Sequence, residues 1–164
     1  MQERSFVMKK IKWGSLILSI FIPLAVGTAS GLIARAGEAY GAMIKPEGSP
    51  PAWIFPVVWT ILFALMGISS FLIYNADASE KSKMSVLIVY AIQLIVNFMW
   101  PIFFFRLGAY LFSFIWLVLL WVLVLIMILK FYKINRTAAF LQLPYLLWLT
   151  FAGYLNLSVY LLNR

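Results

Sequence analysis

The 164-residue chain is 65% hydrophobic and 11% charged, with a mean hydropathy of +0.99, whereas soluble domains run near half apolar and a quarter charged. That balance excludes an ordinary soluble enzyme and implies an integral membrane protein. The net charge of +8 does not point to nucleic acid, because the basic residues stand at the ends of apolar runs and form no patch in polar surroundings. Cysteine and histidine are both absent, which removes disulfides, thiolate nucleophiles, metal sites of the usual kind and histidine proton relays.

Taken in order, residues 1 to 12 are polar and basic (Arg4, Lys9, Lys10, Lys12) and lead into an apolar run over 13–34. That run is too long for the apolar core of a signal peptide and is read as a first membrane helix. Its glycine pair, Gly27 and Gly31, has the spacing of close helix packing. The stretch 35–50 is the longest connection, with Arg35 and Lys45 balancing Glu38 and Glu47 and with Tyr40 as its sole aromatic residue. A connection of this length in so economical a chain is a candidate lid or binding loop.

Prolines 50 and 51 cannot extend a preceding helix but are tolerated in the first turn of a new one, so a second span is expected over 51–74. On it Trp59, Phe63, Met66 and Ser70 share one helical face. The third span, 84–105, places Gln93, Asn97, Trp100 and Phe104 on one face, and an amide left unpaired in hydrocarbon is costly enough that Gln93 and Asn97 must turn inward. Gln93 reads as glue between helices, Asn97 as a candidate ligand contact, and Pro101 should kink or open the helix. The fourth span, 108–129, carries fifteen Leu, Ile, Val or Phe residues between positions 109 and 129, worth on the order of −6 kcal/mol toward insertion. The fifth, 137–162, puts Pro144, Trp148, Ala152 and Leu155 on one face, and the small Ala152 would leave room for a flat ligand. The expectation is an all-α membrane domain, a bundle of five transmembrane helices filling the chain.

If the spans alternate, nine basic residues (Arg4, Lys9, Lys10, Lys12, Lys81, Lys83, Lys130, Lys133, Arg136) lie on the N-terminal side and four (Arg35, Lys45, Arg106, Arg164) on the other. A cytoplasmic N-terminus follows, with the 35–50 loop outside. All five carboxylates fall in the tail or the loops, so a proton-coupled transporter, which needs an ionisable group within the membrane, is disfavoured. The chain offers aromatic surface instead, suited either to a flat apolar ligand or to plain packing and interfacial belts.

Three strings carry a resemblance: KPEGSPPAWIFPVVWTILFALMG from Lys45, QLIVNFMWPIFFF from Gln93 and LPYLLWLTFAGYLN from Leu143. In this order they resemble the translocator protein family, also called tryptophan-rich sensory proteins, in a bacterial member. The resemblance implies a receptor or sensor whose pocket under the first long loop takes porphyrins such as protoporphyrin, sterols in some members, and isoquinoline or benzodiazepine compounds. Carried onto this chain, the implied ligand-binding residues are Ser30, Tyr40, Pro50, Trp59, Phe63, Asn97, Trp100, Trp148 and Ala152. Light-dependent oxidative breakdown of porphyrin is further implied, with Trp59 and Trp148 as the reacting residues, no metal and no required cofactor. A passive carrier of lipophilic ligands is the alternative. The resemblance also implies a homodimer in a bacterial cell membrane, although Ile88 and Ile92 stand where relatives often carry small residues for dimer packing.

Overall fold

The computed structural model describes residues 12 to 164, so Arg4, Lys9 and Lys10 of the basic count lie outside the described residues. Seven α-helices and no strand occur among them. They are α1 (Trp13–Ile33), α2 (Ala36–Ala42), α3 (Ile54–Tyr74), α4 (Glu80–Pro101), α5 (Tyr110–Tyr132), α6 (Arg136–Phe140) and α7 (Leu143–Leu162). Five segments are long and apolar enough to cross a membrane: α1, α3, α4 with the turn after it, α5, and α6 with α7. The five expected spans are therefore present, and the differences lie at their ends.

The second helix begins at Ile54 and not at residue 51, because Pro51 instead closes a turn through its carbonyl, which accepts from the Ile54 amide at 3.0 Å. The third begins four residues earlier than expected, at Glu80. Ser79 caps it by accepting from the Ser82 amide at 3.3 Å, and Glu80 places a negative charge at the positive end of the helix dipole. After Pro101 the chain widens into a π-helical turn, Ile102–Arg106, in which the Leu107 amide reaches back to the Ile102 carbonyl at 3.0 Å. The opening expected at that proline is realised as this turn. The fourth helix runs from Tyr110 to Tyr132, a little later at both ends than expected.

The fifth span is not one helix. It breaks at Leu141 and Gln142, where Pro144 would clash with the preceding turn. The break turns the fully buried Gln142 inward, where its amide donates to Ser69 Oγ at 2.6 Å. The long 35–50 connection likewise contains a helix of its own, α2. Arg35 enters it in the left-handed region, with φ of 50°, which reverses the chain out of α1.

Burial runs opposite to that of a soluble protein. Ile17 and Phe21 of α1, Ile61 of α3, Ile88 and Ile95 of α4 and Ile115 of α5 are exposed, whereas Gln93, Ser69, Ser113 and Gln142 are fully buried. Lipid satisfies the apolar exterior and leaves polar groups to find partners inside. α1 packs on α3 at Gly67, where an added Cβ would strike the backbone of Ile20, and at Gly27, whose missing side chain is replaced by the Phe63 ring. Gly31 faces open space, so only the first glycine of the expected pair packs. α7 lies along α5 and meets α3 and α4 across large rings, Tyr145 to Trp59 and Asn156 to Trp100.

Candidate ligand-binding site

α2 and the segment after it form a lid over one end of the bundle, and the lid is held by side chains. The Tyr40 hydroxyl donates to the Pro50 carbonyl at 2.6 Å, and the Lys45 ammonium donates to the Tyr40 carbonyl at 3.0 Å. Asn163, at the end of α7, pairs with both backbone groups of Ile44, at 3.3 and 2.9 Å. The neighbouring turn is tied in by Arg106, whose guanidinium donates to the Ile33 carbonyl at 3.3 Å. Burial raises the Tyr40 phenol above its ordinary pKa, with the Ser49 hydroxyl pulling weakly the other way, so the hydroxyl stays a donor at neutral pH.

Beneath the lid lies a small cavity of about 30 Å³, room for about two waters. Its walls are Tyr40, Met43, Lys45 and Ser49 of the lid, Phe55 of α3, Trp100, Phe104 and Phe105 around the π-turn, and Ala152, Leu155, Asn156 and Val159 of α7. Trp100 and Phe104 stack with centroids 5.1 Å apart, and Phe105 stands edge-on to both. The π-turn makes this possible, since an extra residue per turn lets adjacent phenylalanines both face the cavity. Asn156 positions its neighbours: it accepts from the Trp100 indole at 3.2 Å and donates to the Tyr110 carbonyl at 2.9 Å.

The residues expected in a pocket separate into two groups. Tyr40, Trp100 and Ala152 line the cavity, and Pro50 contributes the carbonyl that anchors Tyr40. Trp148 stands one ring behind, edge-on to Phe55 at 5.9 Å, and Phe55 in turn contacts Tyr40 at 4.9 Å. Deeper in the bundle, Trp59 stacks on Phe63 at 5.3 Å and meets Tyr145 edge-on at 6.1 Å. Asn97 joins this deeper group: its amide donates to the Tyr145 hydroxyl at 2.6 Å, which donates onward to Gln93 Oε1 at 3.1 Å. Ser30 is buried with its hydroxyl on the Phe98 carbonyl at 2.6 Å. Trp59, Phe63, Asn97 and Ser30 are thus not walls of the cavity in this closed arrangement, and Pro144, expected on the face of Trp148, is exposed at the start of α7.

Several walls were missed that a signal in the sequence marks. Phe55 precedes Trp59 by four residues on the face already singled out, and Asn156 and Val159 extend the face of Ala152 and Leu155 at helical spacing. Lys45, Ser49 and Met43 had no periodic signal, because the lid's path is set by contacts distant in sequence.

The architecture defines a class: a helical membrane protein of five spans, with no acidic or basic residue near mid-span among the described residues and an aromatic cavity under a tethered lid. Residues 19–162 match the model of the TspO/MBR family. The chain is 35% identical to the "Tryptophan-rich protein TspO" of Chlorobaculum tepidum, over 91% of this chain and 96% of that protein. It is 34% identical to "Protein CrtK" of Rhodobacter capsulatus, over 91% and 93% of the two chains. With the "Translocator protein" of Bos taurus it shares 32% identity, over 76% of this chain and 75% of the other. The chain belongs to the TspO/MBR family.

Proposed function

We propose that this protein is a membrane receptor or sensor that binds porphyrins, and other flat compounds of the isoquinoline or benzodiazepine type, in the cavity under the α2 lid. The observation that carries this reading is the cavity itself: three stacked or edge-on rings on one wall, Ala152 on the opposing helix and a lid tied by a few hydrogen bonds. At about 30 Å³ the closed cavity does not hold a tetrapyrrole. Binding requires the lid to lift and the Phe55 and Trp100 rings to turn, a gating motion of the kind that loops perform.

Light-dependent oxidation of the bound porphyrin is the second part of the proposal. An excited porphyrin takes an electron most readily from the most electron-rich side chain beside it and passes it on to dioxygen. The indole radical cation left behind recovers an electron from the porphyrin, and the porphyrin radical cation combines with the superoxide, so dioxygen is the net oxidant and the tryptophan is regenerated. Trp148, one ring behind the cavity through Phe55, and Trp59, beneath it, are the indoles assigned that role. The protein is assigned to the bacterial cell membrane with the N-terminus in the cytoplasm. Supporting that, among the described residues Arg35, Lys45, Arg106 and Arg164 belong to the lid end, while Lys12, Lys81, Lys83, Lys130, Lys133 and Arg136 belong to the opposite end.

The test is an absorbance titration of the purified protein with protoporphyrin, before and after illumination. A saturable spectral shift followed by protein-dependent bleaching is expected. Saturable binding with no bleaching beyond that of free porphyrin would leave a receptor or carrier without photochemistry, and vesicle-to-vesicle flux of unmodified ligand would then favour the carrier. For orientation, single cysteines at Gly48 and Ser82 have no background in this cysteine-free chain. The Gly48 site should label from outside intact cells, and labelling of the Ser82 site alone would reverse the topology.

A further inference from the structure

We infer that Lys45 makes the cavity selective for flat apolar ligands that carry a carboxylate; the inference rests on the ligand-binding reading above and names the chemistry of the ligand's polar edge. Five cavity residues bring polar side-chain atoms: Tyr40, Ser49, Asn156, Trp100, whose indole N–H is taken up by Asn156, and Lys45. The first three are committed to the protein itself, Tyr40 to the Pro50 carbonyl, Ser49 to the Pro46 carbonyl at 2.8 Å, and Asn156 to Trp100 and Tyr110. An ammonium has three protons to donate, and Lys45 uses one, on the Tyr40 carbonyl. Two donors are left at the mouth of an otherwise apolar chamber.

The charge has no counter-ion in place. No acidic residue lines the cavity, and the lid carboxylates Glu38 and Glu47 form no ion pair with Lys45; among the described residues the ion pair present is Lys83 with Glu80 at the other end. Arg35, Arg106 and Arg164, the other cations of the lid end, are exposed as Lys45 is, but stand outside the cavity wall. Lys45 is also positioned, since its ammonium lies 4.8 Å from the centre of the Tyr40 ring, over the lid residue that closes the chamber. Lys45 is itself exposed at the cavity mouth, and a carboxylate at the edge of a ring system seated among Trp100, Phe104 and Ala152 would meet its ammonium there in a charge-assisted hydrogen bond beside apolar surface. A neutral ligand of the same shape leaves the ammonium to water and gains no such contact, which is the basis of the preference.

The test uses the full chain in lipid nanodiscs and two matched probe pairs, protoporphyrin IX against its dimethyl ester and 1-pyrenebutyrate against 1-pyrenebutanol, followed by quenching of tryptophan fluorescence. The parent should bind each acid about tenfold more tightly than its neutral partner, the size expected of a charge-assisted hydrogen bond reduced by partial exposure. Lys45→Gln keeps a donor for the Tyr40 carbonyl and should lose that preference, while binding the neutral probes as the parent does. Lys45→Arg should retain the preference. Equal affinity of the parent for acid and neutral probes, or a preference that survives Lys45→Gln, overturns the inference and leaves Lys45 as an interfacial anchor for lipid headgroups. If both porphyrins fail to bind while the pyrene acid keeps its advantage, the porphyrin reading falls and the carboxylate selectivity stands; if every probe fails, both fall.

Discussion

At the end of the bundle that carries Lys83, Lys130 and Arg136, buried polar groups meet one another across helices. Gln142 donates to Ser69 Oγ at 2.6 Å, Ser69 donates to the Ala138 carbonyl at 3.0 Å, and Asn135 caps α6 through the Ala138 amide at 3.0 Å. At the lid end the ties run between a surface segment and the bundle, through Tyr40, Lys45 and Asn163, and they enclose a small cavity. The first arrangement cannot open without stranding polar groups in hydrocarbon, each at a cost of several kcal/mol. The second can open toward water, where each lost hydrogen bond is replaced and the net cost is about 1 kcal/mol. One chain thus has an end built to stay shut and an end built to move.

The largest effect should come from the tight packing that both ends depend on. Gly67→Val places carbon against the Ile20 backbone, which has no side-chain freedom with which to yield. Overpacking of this kind costs about 3 kcal/mol or more, and the variant should lose most of its folded yield in detergent, seen by size-exclusion chromatography and a lowered Tm. Retention of the parent's Tm would show that α1 and α3 do not cross as closely as described.

Next in size is the photochemistry. Trp148→Phe and Trp59→Phe keep an aromatic surface and should bind porphyrin nearly as the parent does, yet each should slow light-dependent bleaching severalfold at saturating porphyrin. Trp121, hydrogen-bonded to Thr150 at 2.9 Å and absent from the cavity wall, is the control. Equal impairment in Trp121→Phe, or none in the other two, would sink the tryptophan mechanism and leave binding alone.

A smaller effect tests the lid directly. Tyr40→Phe removes the hydroxyl that holds Pro50 and should cost the closed state about 1 kcal/mol, raising the labelling rate of a Gly48→Cys probe severalfold with little change in Tm. A labelling rate equal to that of the parent would mean that the lid is held elsewhere, with Asn163 on Ile44 as the next candidate.

How much of this was legible in the sequence follows the same division. Long apolar runs announce the five spans because hydropathy over about twenty residues is a property of the segment alone, and the inward faces of α3 and α4 follow from helical spacing, with Phe63, Met66, Gln93, Asn97 and Trp100 all buried. The family could be recognised from three strings. What was not legible depended on residues far apart in the chain. Gln142 sits at a helix break because Pro144 forbids continuation, but its partners on Ser69 and Leu65 lie more than seventy positions away. Spacing turns Asn97 inward, but only the packed structure shows that its amide meets the Tyr145 hydroxyl and that it does not line this cavity. Lys45 and Ser49 are ordinary loop residues until Asn163 fixes the lid over the rings.

The claim on which the functional account turns is that ligand enters the space between the lid and α7. Ala152, buried in that wall, is its most direct probe, because leucine suits a membrane helix while its added carbons fill the space a flat ring must occupy. Titration of Ala152→Leu with protoporphyrin should give a Kd about tenfold weaker than the parent's, within the range that a steric mismatch of about 1 to 3 kcal/mol produces, with an unchanged Tm. A Kd equal to the parent's would place the ligand elsewhere on the protein.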